Sequence, residues 1–217
     1  MSLLAGKHPQ TVLLFGQQAL SFNEEISSLL HTTLIRNRGQ EWIKDALLAL
    51  PSIWEIIVKN VPLLKASPGG DRVGELKEWI QTGTFPRSLS SLPNILLTPF
   101  VVALQLSQYQ SYLETTYPQG IDQHEANVAT VKHLESVAFC TGLLSAIAIS
   151  ASRNDAALKE NGAIAMRIAT LVGAIVDDHD ASGEKEAGSR SISVAWTSPE
   201  VEEEMLSKLK QHSDVST

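Results

Sequence analysis

The side chain best suited to covalent chemistry is Cys140, the single cysteine of the chain, set in Ala138-Phe139-Cys140-Thr141-Gly142. Leu134 to Phe139 can form a strand, and Leu143 to Ser152 reads as a buried apolar helix. A reactive residue on a tight strand-to-helix turn is exposed because small neighbours let the backbone bend beneath it. Ala138 replaces the first glycine of the usual Gly-x-nucleophile-x-Gly pattern, and Gly142 keeps the second. Amide groups and the dipole at a helix N-terminus favour negative charge, which promotes the thiolate. The Thr141 amide would then face the oxyanion formed when a thioester carbonyl is attacked. On these five residues alone a second reading stays open, because a lone cysteine beside an apolar helix is more often a buried packing residue.

An oxyanion needs a second donor. Thr11 to Phe15 is a short β-prone run closed by Gly16, the pattern of a strand buried on both faces. The loop Gly16-Gln17-Gln18 leaves it on the carboxyl edge of a parallel sheet, the edge on which the elbow also opens. The segment between is mostly helical. Ser21 is placed to cap a helix running from Phe22 to Ile35, and further helices span about Gln40 to Leu50 and Pro51 to Val61. Pro68 to Asp71 is a turn, Val73 to Ile80 a short helix, and a longer helix follows Pro93 to near Glu114. After the elbow, Ala156 to about Val176 is amphipathic, and Asp177 to Ser189 reads as a polar surface connection. Ser191 to Trp196 alternates as a strand, and Ser198-Pro199-Glu200 opens a last helix.

A formal charge of −7 with no basic run argues against a nucleic-acid surface. One cysteine excludes an internal disulfide framework and a multi-cysteine metal site, and fits a reducing compartment. Met1 to Gln10 lacks a secretory apolar core, and the most apolar stretches fall short of the ~20 residues that cross a bilayer. A cytoplasmic protein without membrane partners is expected. Asp177-Asp178-His179-Asp180 is a solvated turn rather than a metal site, since consecutive residues rarely converge on one ion.

Leu13-Leu14-Phe15-Gly16-Gln17-Gln18, the stretch Leu89-Ser90-Ser91-Leu92-Pro93-Asn94 with Pro99, and Phe139-Cys140-Thr141-Gly142-Leu143-Leu144 together resemble the starter-unit acyl carrier protein transacylases of fungal non-reducing polyketide synthases. The resemblance covers essentially the whole chain. It implies an α/β fold of the malonyl-transferase type: an α/β-hydrolase-like subdomain over residues 1–180 and the start of a ferredoxin-like small subdomain over 190–217. It also implies a transferase that moves an acyl group from a thioester donor through Cys140 to the phosphopantetheine thiol of an acyl carrier protein.

On that resemblance Gln18, with Gln17 as its neighbouring alternative, supplies an oxyanion amide beside Thr141. Val172 stands where malonyl-specific relatives carry an arginine, so an uncharged acyl chain is implied; Arg167, five residues away, reads as structural. No bound cofactor is implied; acyl-coenzyme A or acyl-phosphopantetheine would be substrate carriers, and further domains of the same synthase would be partners. The family's histidine, which follows the small subdomain, has no counterpart, and the chain is expected to break off within that subdomain. His179 and His212 do not match its context, and His31, His124 and His133 have no motif around them. A cysteine-dependent thioester hydrolase and a catalytically incomplete docking fragment are the alternatives.

Overall fold

The computed structural model describes residues 11–16, 24–85, 92–117, 121–130 and 134–181. The chain divides into two compact units, 1–183 and 184–217, and every described residue lies in the first. The expected strand and helix after Ser189, the small subdomain, the Ser21 cap, Gln17, Gln18, His133 and His212 all lie outside the described residues.

The first unit is mostly helical, with a two-stranded parallel sheet. Strand β1 (Thr11–Phe15) pairs with β2 (Leu134–Ala138), from Thr11 opposite Leu134 to Phe15 opposite Ala138. Among the described residues seven α-helices accompany them: α1 (Glu24–Arg36), α2 (Glu41–Asn60), α3 (Glu75–Thr82), α4 (Asn94–Thr116), α5 (Gln123–Thr130), α6 (Gly142–Ser150) and α7 (Asp155–Ala181). Among the described residues no helix is long and apolar enough to cross a membrane.

Helix α4 is the centre of the packing. It is buried nearly all round, through residues such as Ile95, Phe100, Val102, Leu106 and Leu113, as a helix apolar on every face must be. Helix α7 lies along it at a distance only glycine permits, since a Cβ on Gly173 would meet the Asn94 carbonyl oxygen at 2.1 Å. Trp79 of α3 packs edge-on to Phe100 and stacks with Phe85, its indole N–H donating to Ser27 Oγ at 2.8 Å.

Four expectations are corrected. Pro51 does not open a new helix; it lies buried inside α2, where packing of Leu47, Leu50 and Trp54 outweighs the hydrogen bond a proline cannot make. Helix α7 runs on to Ala181, so Asp177 to Ala181 is helix rather than connection. The reason is Asp177, a buried carboxylate that accepts from the Asn94 amide (2.9 Å), Asn94 Nδ2 (2.9 Å) and the Ile95 amide (2.8 Å). It satisfies amides at the start of α4 that no local cap serves, and the helix dipole there favours its charge. Strand β1 is not buried on both faces: Phe15 is buried, but Leu14 is 76% exposed. Nor is α6 buried throughout, since Leu143 and Ile147 are 52% and 54% exposed.

The starts of α5 and α7 are joined by a reciprocal clasp. Asp122 accepts from the amides of Glu125 (2.8 Å) and Asp155 (2.9 Å), while Asp155 accepts from the amides of Gln123 (3.1 Å) and His124 (2.8 Å). Burial works to raise the Asp122 pKa, but the backbone bonds from Glu125 and Asp155 outweigh it and hold the carboxyl below its usual 3.8. A lowered folded-state value means that Asp122 contributes stability above the unfolded value, and that this is lost as pH falls through the folded one. The urea-midpoint difference between wild type and Asp122→Asn should therefore be present at pH 6 and shrink below about pH 4; a pH-independent difference would show that the carboxylate charge is not what matters.

Candidate functional site

The site is built on the turn between β2 and α6. The Phe139 amide donates to the Phe15 carbonyl at 3.1 Å, extending the ladder one residue past the strands. The chain then reverses: Gly142 N–H bonds the Phe139 carbonyl (3.1 Å) and Leu143 N–H the Cys140 carbonyl (3.0 Å). Cys140 takes the bend itself, with φ of 55°, the only non-glycine residue at positive φ among those described. That left-handed conformation costs an ordinary residue about 1–2 kcal/mol, and it recurs where a side chain is held for a task. The Cys140 side chain is exposed. Its described partner is the Thr141 hydroxyl, 3.8 Å from Sγ.

Two features hold the turn. A Cβ on Gly142 would lie 2.5 Å from the Phe15 carbonyl oxygen and 2.7 Å from that of Gly16, so only glycine lets α6 start this close to the end of β1. Gln105 of α4 then joins the same places: its Nε2 donates to the Gly16 carbonyl at 3.0 Å, and its Oε1 accepts from Ser145 Oγ of α6 at 2.6 Å. Sequence reading missed Gln105, because one amide in the run Val101 to Leu106 looks like an exposed helix position.

Thr141 is buried and stands at the N-terminus of α6, next to Cys140. Gly142 meets the exit of β1, as above. Val172 lies on α7, 42% exposed; Arg167 is exposed on the same helix. A cleft of about 350 Å³ opens beside β1, with Phe15, Gly16, Ile26, Val101, Gln105 and Tyr109 in its walls. It reaches the exit of β1 from the side of α1 and α4. Cys140, Thr141 and Val172 do not line it, so it is a neighbour of the elbow and not its mouth.

The described histidines are engaged elsewhere. His124 is fully buried; its Nε2 donates to the Ser152 carbonyl at 3.1 Å, and Nδ1 faces the Tyr109 hydroxyl at 2.8 Å. Asn127 Nδ2 donates to the same hydroxyl at 3.0 Å, and burial pushes the Tyr109 phenol well above its ordinary value. His31 Nε2 lies 3.0 Å from the Ile80 carbonyl, and His179 is on the exposed last turn of α7. Among the described residues no group of three or more His, Cys, Asp or Glu side chains is placed to hold a metal ion.

Residues 70–217 match the family model described as "Starter unit:ACP transacylase in aflatoxin biosynthesis". The chain is 43% identical over 195 residues to the non-reducing polyketide synthase pigA of Monascus ruber, covering 90% of this chain and 7% of that protein. It is 41% identical over 189 residues to clavatol synthase claF of Penicillium crustosum (87% and 7%). It is 34% identical over 201 residues to the citrinin polyketide synthase of Monascus ruber (93% and 8%). The chain thus spans less than a tenth of the length of these relatives.

The strained turn makes two substitutions diagnostic. Gly142→Ala should lose about 3 kcal/mol of stability, because its neighbours are backbone and cannot rotate away. Cys140→Gly should do the reverse: relief of the positive φ outweighs glycine's extra freedom in the unfolded chain, for a net gain of about 0.5–1 kcal/mol over Cys140→Ala. Urea denaturation of the three variants checks both, and a Cys140→Gly protein less stable than Cys140→Ala would deny the strain.

Proposed function

Since the chain belongs to the starter unit:ACP transacylase family, we propose that it carries the acylation site of a starter-unit acyltransferase, with Cys140 as the nucleophile. Supporting this above all is an exposed thiol held at positive φ between a parallel strand and a helix N-terminus. In the first half-reaction Sγ attacks the carbonyl carbon of an acyl thioester. The bond from that carbon to the donor's sulfur breaks, the donor leaves as a thiol, and acyl-S-Cys140 remains. In the second, the phosphopantetheine thiol of an acyl carrier protein attacks the same carbon and restores the free cysteine. Each half passes through an oxyanion, for which the Thr141 amide and an amide of Gln17 or Gln18 are the assigned donors. The parallel pair with its elbow is the part of an α/β-hydrolase-like subdomain that we assign to this chain.

Val172 puts no positive charge at the position that the resemblance aligns with the arginine pairing a free carboxylate, so the acyl group is uncharged in this reading. Among the described residues no histidine bonds to Cys140, and on the resemblance the family's histidine has no counterpart in this chain. That observation also favours a second reading, a piece of the synthase that keeps the elbow but depends on further sequence for turnover.

Intact-mass measurement after incubation with acetyl or hexanoyl thioesters should give a single adduct on wild type and none on Cys140→Ala. No wild-type adduct, or an equal one on Cys140→Ala, ends the nucleophile assignment. Release of free acid without carrier protein would mark a hydrolase, and turnover only in a longer stretch of the natural protein would mark the second reading. Malonyl loading should trail hexanoyl loading by about tenfold or more, as expected for an unpaired carboxylate. Equal loading would remove Val172 from the specificity argument.

A further inference from the structure

We propose that the Thr141 hydroxyl serves the sulfur of Cys140: it donates a hydrogen bond to Sγ whenever that atom carries negative charge, first as the attacking thiolate and then as the group that leaves acyl-S-Cys140. The proposal rests on the acyl-transfer reading of Cys140, and it gives the Thr141 side chain a role separate from that of its amide.

Thr141 is 8% exposed, and its hydroxyl oxygen lies 3.8 Å from Sγ. Cys140 is exposed, so an accessible sulfur stands beside a hydroxyl that water scarcely reaches. Valine would fill the same space without burying a polar group, and that burial has a cost which only bonding offsets. The branched Cβ of threonine leaves few χ1 positions, so the oxygen is held near the sulfur. In the neutral pair either atom could donate. A thiolate has no hydrogen, so once Sγ is charged the hydroxyl is the donor. Bonds to a charged acceptor are shorter and stronger than neutral ones, and contacts that are long in a free enzyme tighten as charge develops.

No charged side chain takes this place among the described residues. Strand β1 and helix α6 hold no ionisable residue, β2 holds only Glu135 near its start, and those of α4 begin at Tyr109. Of the charged residues of α7, from Asp155 to His179, none is bonded to Sγ. When a pantetheine thiolate attacks acyl-S-Cys140, a new carbon–sulfur bond forms, the bond to Sγ breaks, and its electron pair stays on Sγ. The hydroxyl proton stays on its oxygen, and only the hydrogen bond strengthens. A thiol of lower pKa leaves faster, so the bond that favours the thiolate before loading favours its departure afterwards.

The test compares wild type with Thr141→Val, Thr141→Ala and Thr141→Ser, each in the full chain. Alkylation of Cys140, the only cysteine, by iodoacetamide across a pH series gives the thiol pKa. Intact mass then follows discharge of preformed hexanoyl-S-Cys140 to free pantetheine. Thr141→Val and Thr141→Ala should each raise the thiol pKa by about 0.5–1 unit, whereas Thr141→Ser keeps the hydroxyl and should stay within about 0.2 of wild type. Alkylation of the valine and alanine variants should be about two- to fourfold slower near pH 6, where lost thiolate outweighs its greater intrinsic nucleophilicity, and no slower near pH 10. Discharge should slow about threefold in the same two variants. Slowing by one factor at every pH would mean a merely structural role and overturn the proposal, as would an unchanged pKa, a pKa raised equally by serine, or unchanged discharge. Because alkylation needs no acyl donor, the two readings fail separately. A wild type that takes up no hexanoyl group overturns the acyl-transfer reading and the part of Thr141 in it, whereas normal loading with an unchanged pKa overturns the role of Thr141 alone.

Discussion

The site depends on one close approach: the first residue of α6 rests against the carbonyl oxygens that end β1, at a separation no side chain could occupy. That contact sets where α6 begins. With Phe139 bonded to Phe15 on one side of the turn and Gly142 seated on Phe15 and Gly16 on the other, a single residue is left to reverse the chain, and Cys140 does so at positive φ. The thiol at the apex of this reversal is exposed. A strained backbone of this kind persists only where its surroundings over-determine it. Here they are backbone hydrogen bonds and a glycine contact, neither of which can relax by a rotamer change.

The helical body keeps that approach from drifting. Helix α4 supplies the floor, α7 is locked to its N-terminal end by Gly173 and Asp177, and Gln105 reaches from α4 to the exit of β1 and the first turn of α6. At element ends, where helix amides need acceptors, carboxylates serve them: Asp177 at the start of α4, Asp122 and Asp155 at the starts of α5 and α7. The aliphatic and aromatic core between them gives cohesion, and the carboxylates give register. A helix end fixed by a buried carboxylate cannot slide by a turn without stranding a charge.

What could be read from the sequence was the local part. Ala138-Phe139-Cys140-Thr141-Gly142 announces a strand-to-helix turn, because every residue that makes the turn lies within it, and the amphipathic spacing around it placed most helices. Contacts between distant segments could not be read that way. Asp177 looked like a loop residue because its three partners are at Asn94 and Ile95, and Pro51 looked like a helix start because the packing that keeps α2 continuous comes from other elements. Leu14 and Leu143 are apolar and exposed, a case hydropathy alone cannot distinguish from burial. Gln105 was invisible for the same reason: its two partners, Gly16 and Ser145, are joined only by the fold.

In the proposed reaction the bend at Cys140 brings an acyl carbonyl to the amides at the start of α6. A crystal structure of the chain with a hexanoyl group on Cys140 tests it most directly. The thioester oxygen is predicted to lie about 2.7–3.1 Å from the Thr141 amide nitrogen, with the positive φ retained. An oxygen turned out to solvent, or a Cys140 that relaxes to an ordinary backbone conformation once acylated, would contradict it.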